Sequence, residues 1–443
     1  MTIKQQFDKH FSEENLKRIF VEHIVYSSAT GIDNLDQYAF RRQLDDQITI
    51  LSRKMLAGSY QFTKYKLKLV SKGRDKAPRE ISIPTVRDRI AMRAMCDFLT
   101  ELYDDVVEFN LPQKVIKKVK EDIASNAYTG VIKLDVTNFY PSIKHNELRS
   151  RLGKKIRSDD IKNMLFSAIT SPTVSVSKST DDLSERGVPQ GLAISNILSA
   201  IYLVNIDKRF EAYPNIKYYR YVDDVVIFCD FNDAEIIAKD VRTQFSKIGL
   251  KMYDPIKRPD KSTIEPLGRR FDYLGYQFTG NLVSARTGSV EKLKSSIVSI
   301  FTSYKHSKLK SEEFLLWRLN LRITGCIFDN KSKGWLFFFS VINDEALLHT
   351  LDHYIKKLIR RFNVNITPKK FVRAFKELSH RKYETNYIPN FDNYDLAQKK
   401  KMLIVYFKVD VSKLKNIEIE FEFNKRINKQ VKDLLVDVQN FAY

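Results

Sequence analysis

The sequence predicts an α+β fold in which a β-sheet carries acidic residues. Patterns typical of strands and of helices interleave between residues 70 and 280. Beyond residue 283 the chain becomes mostly helical and basic. Within the apolar run 217–229, the adjacent carboxylates Asp223 and Asp224 separate two β-prone segments, so we expect them at the tip of a tight hairpin.

The N-terminal third contains three predicted elements. Residues 1–70 show helical spacing and form a predicted N-terminal extension. From 67 to 84 apolar and basic residues alternate as in a β-hairpin, with its turn at 72–75. Residues 90–102 form a predicted helix.

The central part alternates between strands and helices. We predict an apolar strand over 131–144 and a long amphipathic helix over 192–212. A hairpin over 217–230 and a helix near 233–248 follow. These elements predict the sheet that carries the acidic residues.

The C-terminal region is basic between residues 351 and 380, where eight Lys or Arg accompany two acids. Within it, Leu351, Ile355, Leu358 and Phe362 would share one face of a predicted helix. Its basic face either is simply solvated or lines a groove for a ligand. The strict alternation over 417–423 predicts a strand, and a terminal helix should follow to Phe441.

Composition favours a polyanionic partner. The 443 residues are enough for two to four subdomains. Lys and Arg outnumber Asp and Glu by 75 to 54, which gives a net charge of +21. So large an excess favours nucleic acid over an anionic membrane, since neutralised phosphates release counterions.

The three cysteines, Cys96, Cys229 and Cys326, are far apart in sequence. They exclude a disulfide framework and a Cys-rich zinc module, and they fit a reducing compartment. The N-terminus has no apolar core of signal length, and the longest apolar stretch, 335–342, is too short to span a bilayer. We therefore expect a soluble, cytoplasmic protein without a membrane partner.

The Asp223–Asp224 pair is the strongest chemical signal. Two neighbouring ionised carboxylates repel each other and lose hydration when they are partly buried. A divalent cation such as Mg²⁺ relieves this conflict, whereas the alternative is a solvated surface turn. Asp135, at the end of the predicted strand 131–144, would complete an oxygen-ligand site beside the hairpin.

A glycine-rich segment, Arg186-Gly-Val-Pro-Gln-Gly191, precedes the predicted amphipathic helix. Its glycines permit close approach of the backbone to a ligand, and Gln190 can offer an amide to a sugar or base.

Four motifs in this order resemble the motif series of reverse transcriptases. They are Lys133-Leu-Asp-Val-Thr-Asn-Phe-Tyr140, Gly187-Val-Pro-Gln-Gly191, Tyr221-Val-Asp-Asp224 and Tyr273-Leu-Gly-Tyr276. Each motif alone is weak evidence, but four at plausible spacing are strong. The resemblance covers about residues 30–280. It implies a right-hand polymerase with an N-terminal extension (1–70), fingers and palm (71–282), a helical thumb (283–345) and a basic, mostly helical extension (346–443).

The resemblance also implies roles for individual residues. Asp135, Asp223 and Asp224 would be the catalytic carboxylates and, with the main-chain carbonyl of Val136, would hold two Mg²⁺ ions, or Mn²⁺ in their place. The residues implied in binding the incoming dNTP are Lys72 (with Lys76 as a rival), Arg79, Tyr140, Gln190 and Lys261. Those implied at the primer and template are Gly191, Tyr221, Tyr273 and Tyr276. Ordinary surface charges are the alternative for Lys72 and Arg79, and sheet packing is the alternative for Tyr140.

One position separates two classes of polymerase. Viral RNA-dependent RNA polymerases usually keep a second Asp four or five residues after the first, where it contacts the ribose hydroxyl. Here Phe139 and Tyr140 occupy that place, and Tyr140 resembles an aromatic gate against the 2′-hydroxyl. The resemblance therefore implies DNA synthesis on an RNA template from dNTPs.

The finer class rests on resemblance alone. Asn126-Ala127 lacks the His that follows in retron enzymes, although Ile323-Thr-Gly325 resembles their Val-Thr-Gly triplet. The segments 319–328 and 334–340 look closest to bacterial defence-associated enzymes in which two reverse transcriptases act with a noncoding RNA. A homo-oligomer, a retron or intron-type enzyme and an RNA-binding scaffold with an idle polymerase fold stay open, as does protein priming from a tyrosine such as Tyr443.

Overall fold

The computed structural model describes residues 2–71, 77–178, 180–308 and 310–438. The chain forms two compact units. The first contains the chain up to Phe109 together with Gly130–Glu265, and the second contains Asn110–Thr129 together with the chain from Pro266 onward.

The elements up to residue 266 are, in chain order, α1 (Ile3–His10), α2 (Glu13–Ile19), a π-helical turn (Phe20–Ile24), α3 (Gln37–Arg41), α4 (Leu44–Leu56), β1 (Tyr65–Val70), β2 (Arg79–Ile83), α5 (Val86–Leu102), α6 (Pro112–Ala124), β3 (Gly130–Thr137), α7 (Phe139–Ser142), α8 (His145–Gly153), α9 (Asp159–Thr170), β4 (Thr173–Val174), α10 (Ser195–Glu211), β5 (Lys217–Tyr221), β6 (Asp224–Cys229), a 3₁₀ turn (Phe231–Asp233), α11 (Ala234–Lys247), β7 (Lys251–Met252) and β8 (Thr263–Pro266). Of these, α6 belongs to the second unit.

The remaining elements are β9 (Phe271–Tyr273), β10 (Tyr276–Thr279), β11 (Leu282–Ala285), α12 (Thr287–His306), α13 (Glu312–Thr324), β12 (Cys326–Phe328), β13 (Lys331–Lys333), α14 (Trp335–Phe338), α15 (Glu345–Phe362), α16 (Phe371–Arg381), a 3₁₀ turn (Phe391–Asn393), α17 (Leu396–Phe407) and α18 (Asn416–Leu435). Mixed helix and sheet in this order confirm the predicted α+β class.

A five-stranded sheet forms the centre of the first unit, in the order β5-β6-β3-β7, with β8 also paired to β3. Strand β3 alternates between buried Leu134 and Val136 on one face and the less buried Asp135 on the other. This alternation buries aliphatic side chains beneath the sheet and leaves the carboxylate on the face that solvent reaches. The predicted strand 131–144 is shorter than expected, because α7 begins at Phe139.

A smaller sheet in the same unit has the order β2-β1-β4. The antiparallel β1–β2 pair confirms the hairpin predicted over 67–84. Its predicted turn at 72–75 lies outside the described residues. The helix predicted from residue 90 begins earlier, at Val86, because Thr85 caps it by accepting a hydrogen bond from the Asp88 amide at 3.2 Å.

The second unit is mostly helical, as predicted, but one prediction there is wrong. Residues 417–423 are part of α18, not a strand. The side chains that this helix buries recur at helical spacing and continue well past the alternating stretch: Ile419, Phe423, Ile427, Val431 and Leu434. Their packing energy outweighs the local two-residue alternation, which is too short to fix the secondary structure. The terminal helix predicted after residue 423 is the second half of α18.

In the described ranges, no helix combines the length and the apolar character that crossing a membrane requires.

Candidate active site

The sheet of the first unit brings the three aspartates of the motif series to one place. In the antiparallel register of β3 and β6, Asp135 lies directly opposite Asp224. The amide of Val136 donates to the carbonyl of Asp223 at 3.2 Å, so the ladder continues into the turn. Residues almost ninety positions apart in sequence are therefore neighbours across two strands.

The turn that carries Asp223 is strained. Tyr221 pairs with Asp224, so Val222 and Asp223 form a two-residue turn between β5 and β6. This confirms the predicted hairpin and places the Asp pair at its tip. Val222 has a φ of 57°, a region that β-branched residues rarely adopt. Such strain persists only where the surrounding structure enforces it.

Burial and like charges shape the electrostatics of this turn. Burial first, and then the neighbouring charges of Asp224 and Asp135, raise the pKa of Asp223 to about 7, although the charge of Arg79 opposes the shift. Near neutral pH the Asp223 carboxyl thus resists ionisation. A bound divalent cation would reverse this effect by favouring the charged forms.

Lys261 is the nearest counter-charge to Asp135. Its Nζ lies 2.8 Å from the Asp135 Oδ2 atom. Burial by itself would lower the pKa of Lys261, but the hydrogen bond and charge of Asp135 raise it. The hydroxyl of Ser262, which is fully buried, accepts a hydrogen bond from the Asp135 amide at 3.2 Å. The Lys261–Ser262 segment therefore holds both the side chain and the backbone of Asp135.

We tested whether these residues fit a metal. In the part of the chain that the structure describes, no three acidic, histidine or cysteine side chains are already arranged as a metal cage, and Asp135 instead pairs with Lys261. The chemistry of the donor set nevertheless fits a hard cation. Carboxylate oxygens are the ligands that Mg²⁺ prefers, and Asp223, whose pKa is raised, is a carboxyl that a bound cation would stabilise in its charged form.

Tyr140 is held beside this sheet by helix α10. The ring is buried, and its hydroxyl donates to the side-chain carbonyl of Asn196. Tyr140 also lies in α7, the short helix that follows β3, so the strand of Asp135 leads directly to it. The hydrogen bond to Asn196 fixes the ring, and α7 keeps Tyr140 only a few residues after Asp135 in the chain.

The Gln190-Gly191 segment packs against strand β2. The amide of Ser82 donates to the carbonyl of Gln190 at 2.7 Å. Gly191 has a φ of 100°, and a Cβ atom there would lie 2.8 Å from the Ile81 side chain. Glycine is thus required at 191 by the fold of the first unit itself. Its role at a primer or template stays a prediction.

Arg79 begins strand β2, and its charge is a small influence that opposes the rise in the pKa of Asp223. The structure therefore places Arg79 on the side of the carboxylates. Lys72 and its rival Lys76 lie outside the described residues.

The tyrosines assigned to the primer differ in exposure. Tyr221 is half-buried at the end of β5. Tyr273 and Tyr276 lie in the second unit with 1% and 0% exposure, and the Tyr276 hydroxyl donates to the Phe338 carbonyl. Their rings are core residues of that unit. A contact with a primer would therefore come from the Leu274-Gly275 turn between them rather than from either ring.

One positioning residue, Asn196, escaped the sequence analysis; it orients Tyr140. Ser262, which holds the backbone of Asp135, directly follows Lys261 in a pair that resembles the Lys-Thr element of reverse transcriptases, with Ser in place of Thr. Asn196 sits in the helix after the glycine-rich segment without any local pattern that distinguishes it from a surface residue.

Comparison with known proteins identifies the region that contains this site. Residues 70–278 match the family model described as reverse transcriptase (RNA-dependent DNA polymerase), which spans slightly under half of the chain. This region is therefore a reverse transcriptase domain, the domain type of RNA-directed DNA polymerases, which are nucleotidyltransferases. No curated protein matches the chain significantly.

Several solved telomerase structures show a weak likeness. Apo telomerase from Candida tropicalis is 14% identical with a TM-score of 0.45, and the match covers 94% of this chain and 73% of that one. A form truncated from its C-terminal domain is 16% identical with a TM-score of 0.40, covering 57% and 61%. Telomerase from Candida albicans in complex with a telomeric RNA fragment is 12% identical with a TM-score of 0.42, covering 97% and 74%. At these TM-scores the likeness carries no argument about function.

Proposed function

We propose that the chain extends a primer on an RNA template by adding dNTPs through two-metal phosphoryl transfer. One observation carries the proposal. Within a reverse transcriptase domain, Asp135 and Asp224 face each other across two strands, and Asp223 beside them has a raised pKa. Mutually repelling carboxylates at such a place are costly unless a cation binds there.

The residues that would hold Mg²⁺ are Asp135, Asp223 and Asp224, with the main-chain carbonyl of Val136. When bound, the two ions would stabilise the charge on the attacking and leaving oxygens of the transferred phosphoryl group. Lys261 would exchange its ion pair with Asp135 for a contact with the substrate phosphates. Arg79, on the same side, supplies a second positive charge for the triphosphate.

Tyr140 supports the choice of dNTP as substrate. Its ring is buried and tethered by Asn196, so it cannot swing aside to admit a larger sugar. A fixed aromatic ring against the sugar would exclude the 2′-hydroxyl of a ribonucleotide by steric contact.

We further propose a biological role in antiviral defence with a noncoding RNA as template and, as one form of assembly, a second reverse transcriptase. The support is the resemblance of segments 319–328 and 334–340 to that class. The net charge of +21 supports binding of a structured RNA. An RNA-binding scaffold is the competing function, because the same charge would serve it equally well.

Primer extension on an RNA template separates these functions. Wild type with Mg²⁺ and dNTPs should extend a DNA primer, whereas the Asp223→Ala/Asp224→Ala variant should extend none while binding the RNA with unchanged affinity. A Tyr140→Ala variant should incorporate rNTPs far better than wild type. If wild type and variant are equally inactive on homopolymeric and heteropolymeric RNA but both bind it, the scaffold function is correct.

A further inference from the structure

Arg220 links the Val222-Asp223 turn to helix α10. Its Nε atom donates to the Asp207 Oδ1 atom at 2.7 Å, and its Nη2 atom donates to the other carboxylate oxygen. Tyr218 adds a hydrogen bond from its hydroxyl to Asp207 at 3.0 Å. The Arg220 and Asp207 side chains are 12% and 17% exposed, so this bidentate pair is largely shielded from water.

The third arm of the guanidinium reaches the strained turn itself. The Nη1 atom of Arg220 donates to the carbonyl of Val222 at 3.0 Å. From the other side, the Val136 amide donates to the carbonyl of Asp223 at 3.2 Å. Both carbonyls at the tip of the hairpin are therefore held, one by an arginine and one by the strand that carries Asp135.

We propose that the Arg220–Asp207 pair is a positioning device for polymerisation, which holds the strained Val222-Asp223 turn so that its carboxylates face Asp135. This inference deepens the proposed function and rests on it. A φ of 57° is unfavourable at a β-branched residue and needs an external restraint. Arg220 contacts the carbonyl of that same residue.

Asp207 has a second effect, on the charge of Arg220. A lone guanidinium three residues before Asp223 would compete with a metal for the carboxylates. Asp207 occupies two of the three donating arms and compensates the charge, which leaves one arm for the Val222 carbonyl. A lysine could not fill this role, because it is a point charge without the fixed fork that matches a carboxylate.

Helix α10 connects the Arg220–Asp207 pair to Tyr140, the residue proposed to face the sugar of the nucleotide. Asp207 and Asn196 both belong to α10, so one helix orients the Val222-Asp223 turn through Arg220 and the Tyr140 ring directly. Displacement of α10 would thus disturb the metal-binding carboxylates and the nucleotide gate together.

The test compares Arg220→Gln, Arg220→Lys and Asp207→Asn with a matched control pair. Arg209, which also lies on α10, forms an ion pair with Asp240 at 3.3 Å. This pair is more exposed than the Arg220–Asp207 pair and does not contact the Val222-Asp223 turn. Arg209→Gln serves as the control. Each variant is measured for kcat and KM of dNTP incorporation, for Mn²⁺ binding by electron paramagnetic resonance, and for melting temperature.

We expect Arg220→Gln and Asp207→Asn to lower kcat by about tenfold to a hundredfold, with a smaller change in KM, and to weaken Mn²⁺ binding by about tenfold. Arg220→Lys should not restore either value, whereas Arg209→Gln should match wild type. Should Arg220→Gln fail to fold, Asp207→Asn decides, since it preserves side-chain volume.

A variant with a lower melting temperature but unchanged kcat and Mn²⁺ affinity would show that the pair only stabilises the fold, and the inference would be wrong. If wild type itself incorporates nothing, the proposed function fails. The positioning role is then still decided by Mn²⁺ binding, which should weaken in the Arg220 and Asp207 variants and not in Arg209→Gln.

Discussion

Two hairpins in this chain have the same turn length but differ in the chemistry of their turn residues. Each has a two-residue turn flanked at its start by a tyrosine: Tyr221-Val-Asp-Asp224 in the first unit and Tyr273-Leu-Gly-Tyr276 in the second. In the second, Leu274 and Gly275 have φ values of 47° and 82°, the signs that a type I′ turn requires. In the first, the positive φ falls on Val222, and the next residue is an acid.

The surroundings of the two turns explain the difference. Tyr273 and Tyr276 are buried, so apolar packing anchors that hairpin and glycine relieves its turn. The Val222-Asp223 turn instead places carboxylates where they repel each other, and polar contacts from Arg220 and Val136 hold it. The Val222-Asp223 turn therefore depends on restraints from other residues, whereas the Leu274-Gly275 turn is stabilised by its own glycine and by the apolar packing of its flanking tyrosines.

The largest expected effect comes from replacing the acid of the first hairpin, with an acid of the second as the control. Asp223→Asn keeps the size of the side chain but removes a metal-binding charge, so we expect nucleotide incorporation to fall at least about a thousandfold. Asp272→Asn, in strand β9 of the second hairpin, should leave incorporation within about twofold of wild type. Single-turnover extension of a primer on RNA measures both. Equal loss in the two variants would mean that the two hairpins are not functionally distinct.

The same Asp223→Asn change should stabilise the metal-free protein at high pH. The pKa of Asp223 is about 7 in the folded chain, above its value of about 3.9 when unfolded. The folded state thus binds more protons between these values, and its stability is lost as pH rises from 4 through 7. In buffer with a chelator at pH 8, Asp223→Asn should raise the free energy of unfolding by about 1–3 kcal/mol.

Urea denaturation at pH 4 and pH 8 checks this prediction. The difference between Asp223→Asn and wild type should shrink to a small fraction of its pH 8 value at pH 4, where Asp223 is protonated in the folded wild-type chain and about half protonated in the unfolded one. Added Mg²⁺ should stabilise wild type and not the variant, because only wild type keeps the full ligand set. A stability difference that does not depend on pH would contradict the electrostatic conflict at this turn.

The sequence alone predicted the first hairpin well and the C-terminal region less well, for physical reasons. Asp223 and Asp224 between two apolar strands constrain the local structure strongly, because few structures accommodate two adjacent acids there. The alternation of apolar and acidic residues from Ile417 to Phe423 was misleading, because so short a stretch fits both a strand and a helix. Only Ile427 and Val431, further along the chain, favour the helix. The tethers from Asn196 and Asp207 depend on tertiary contacts between elements, which no local pattern encodes.

Gly275→Ala should destabilise the second hairpin by about 1 kcal/mol, because its φ of 82° disfavours any side chain. Gly268→Ala is the matched control. Gly268 does not have a positive φ, and a Cβ atom there meets nothing within 4 Å, so that change should be neutral or slightly stabilising. Urea denaturation measures both variants. Equal effects would show that the turn geometry of the second hairpin does not depend on glycine.

The smallest expected effect on stability, and the sharpest test of the comparison, is Val222→Gly. Glycine relieves the unfavourable φ of 57° by about 1–2 kcal/mol but loses about 0.5–1 kcal/mol of backbone entropy and the packing of the valine methyls. The free energy of unfolding should therefore change by less than about 1 kcal/mol. The turn becomes more mobile, however, so incorporation should fall although the fold is intact. Denaturation and primer extension on the same preparation measure the two quantities. If Val222→Gly is as active as wild type, the strained backbone has no part in positioning Asp223, and only the side chains distinguish the two hairpins.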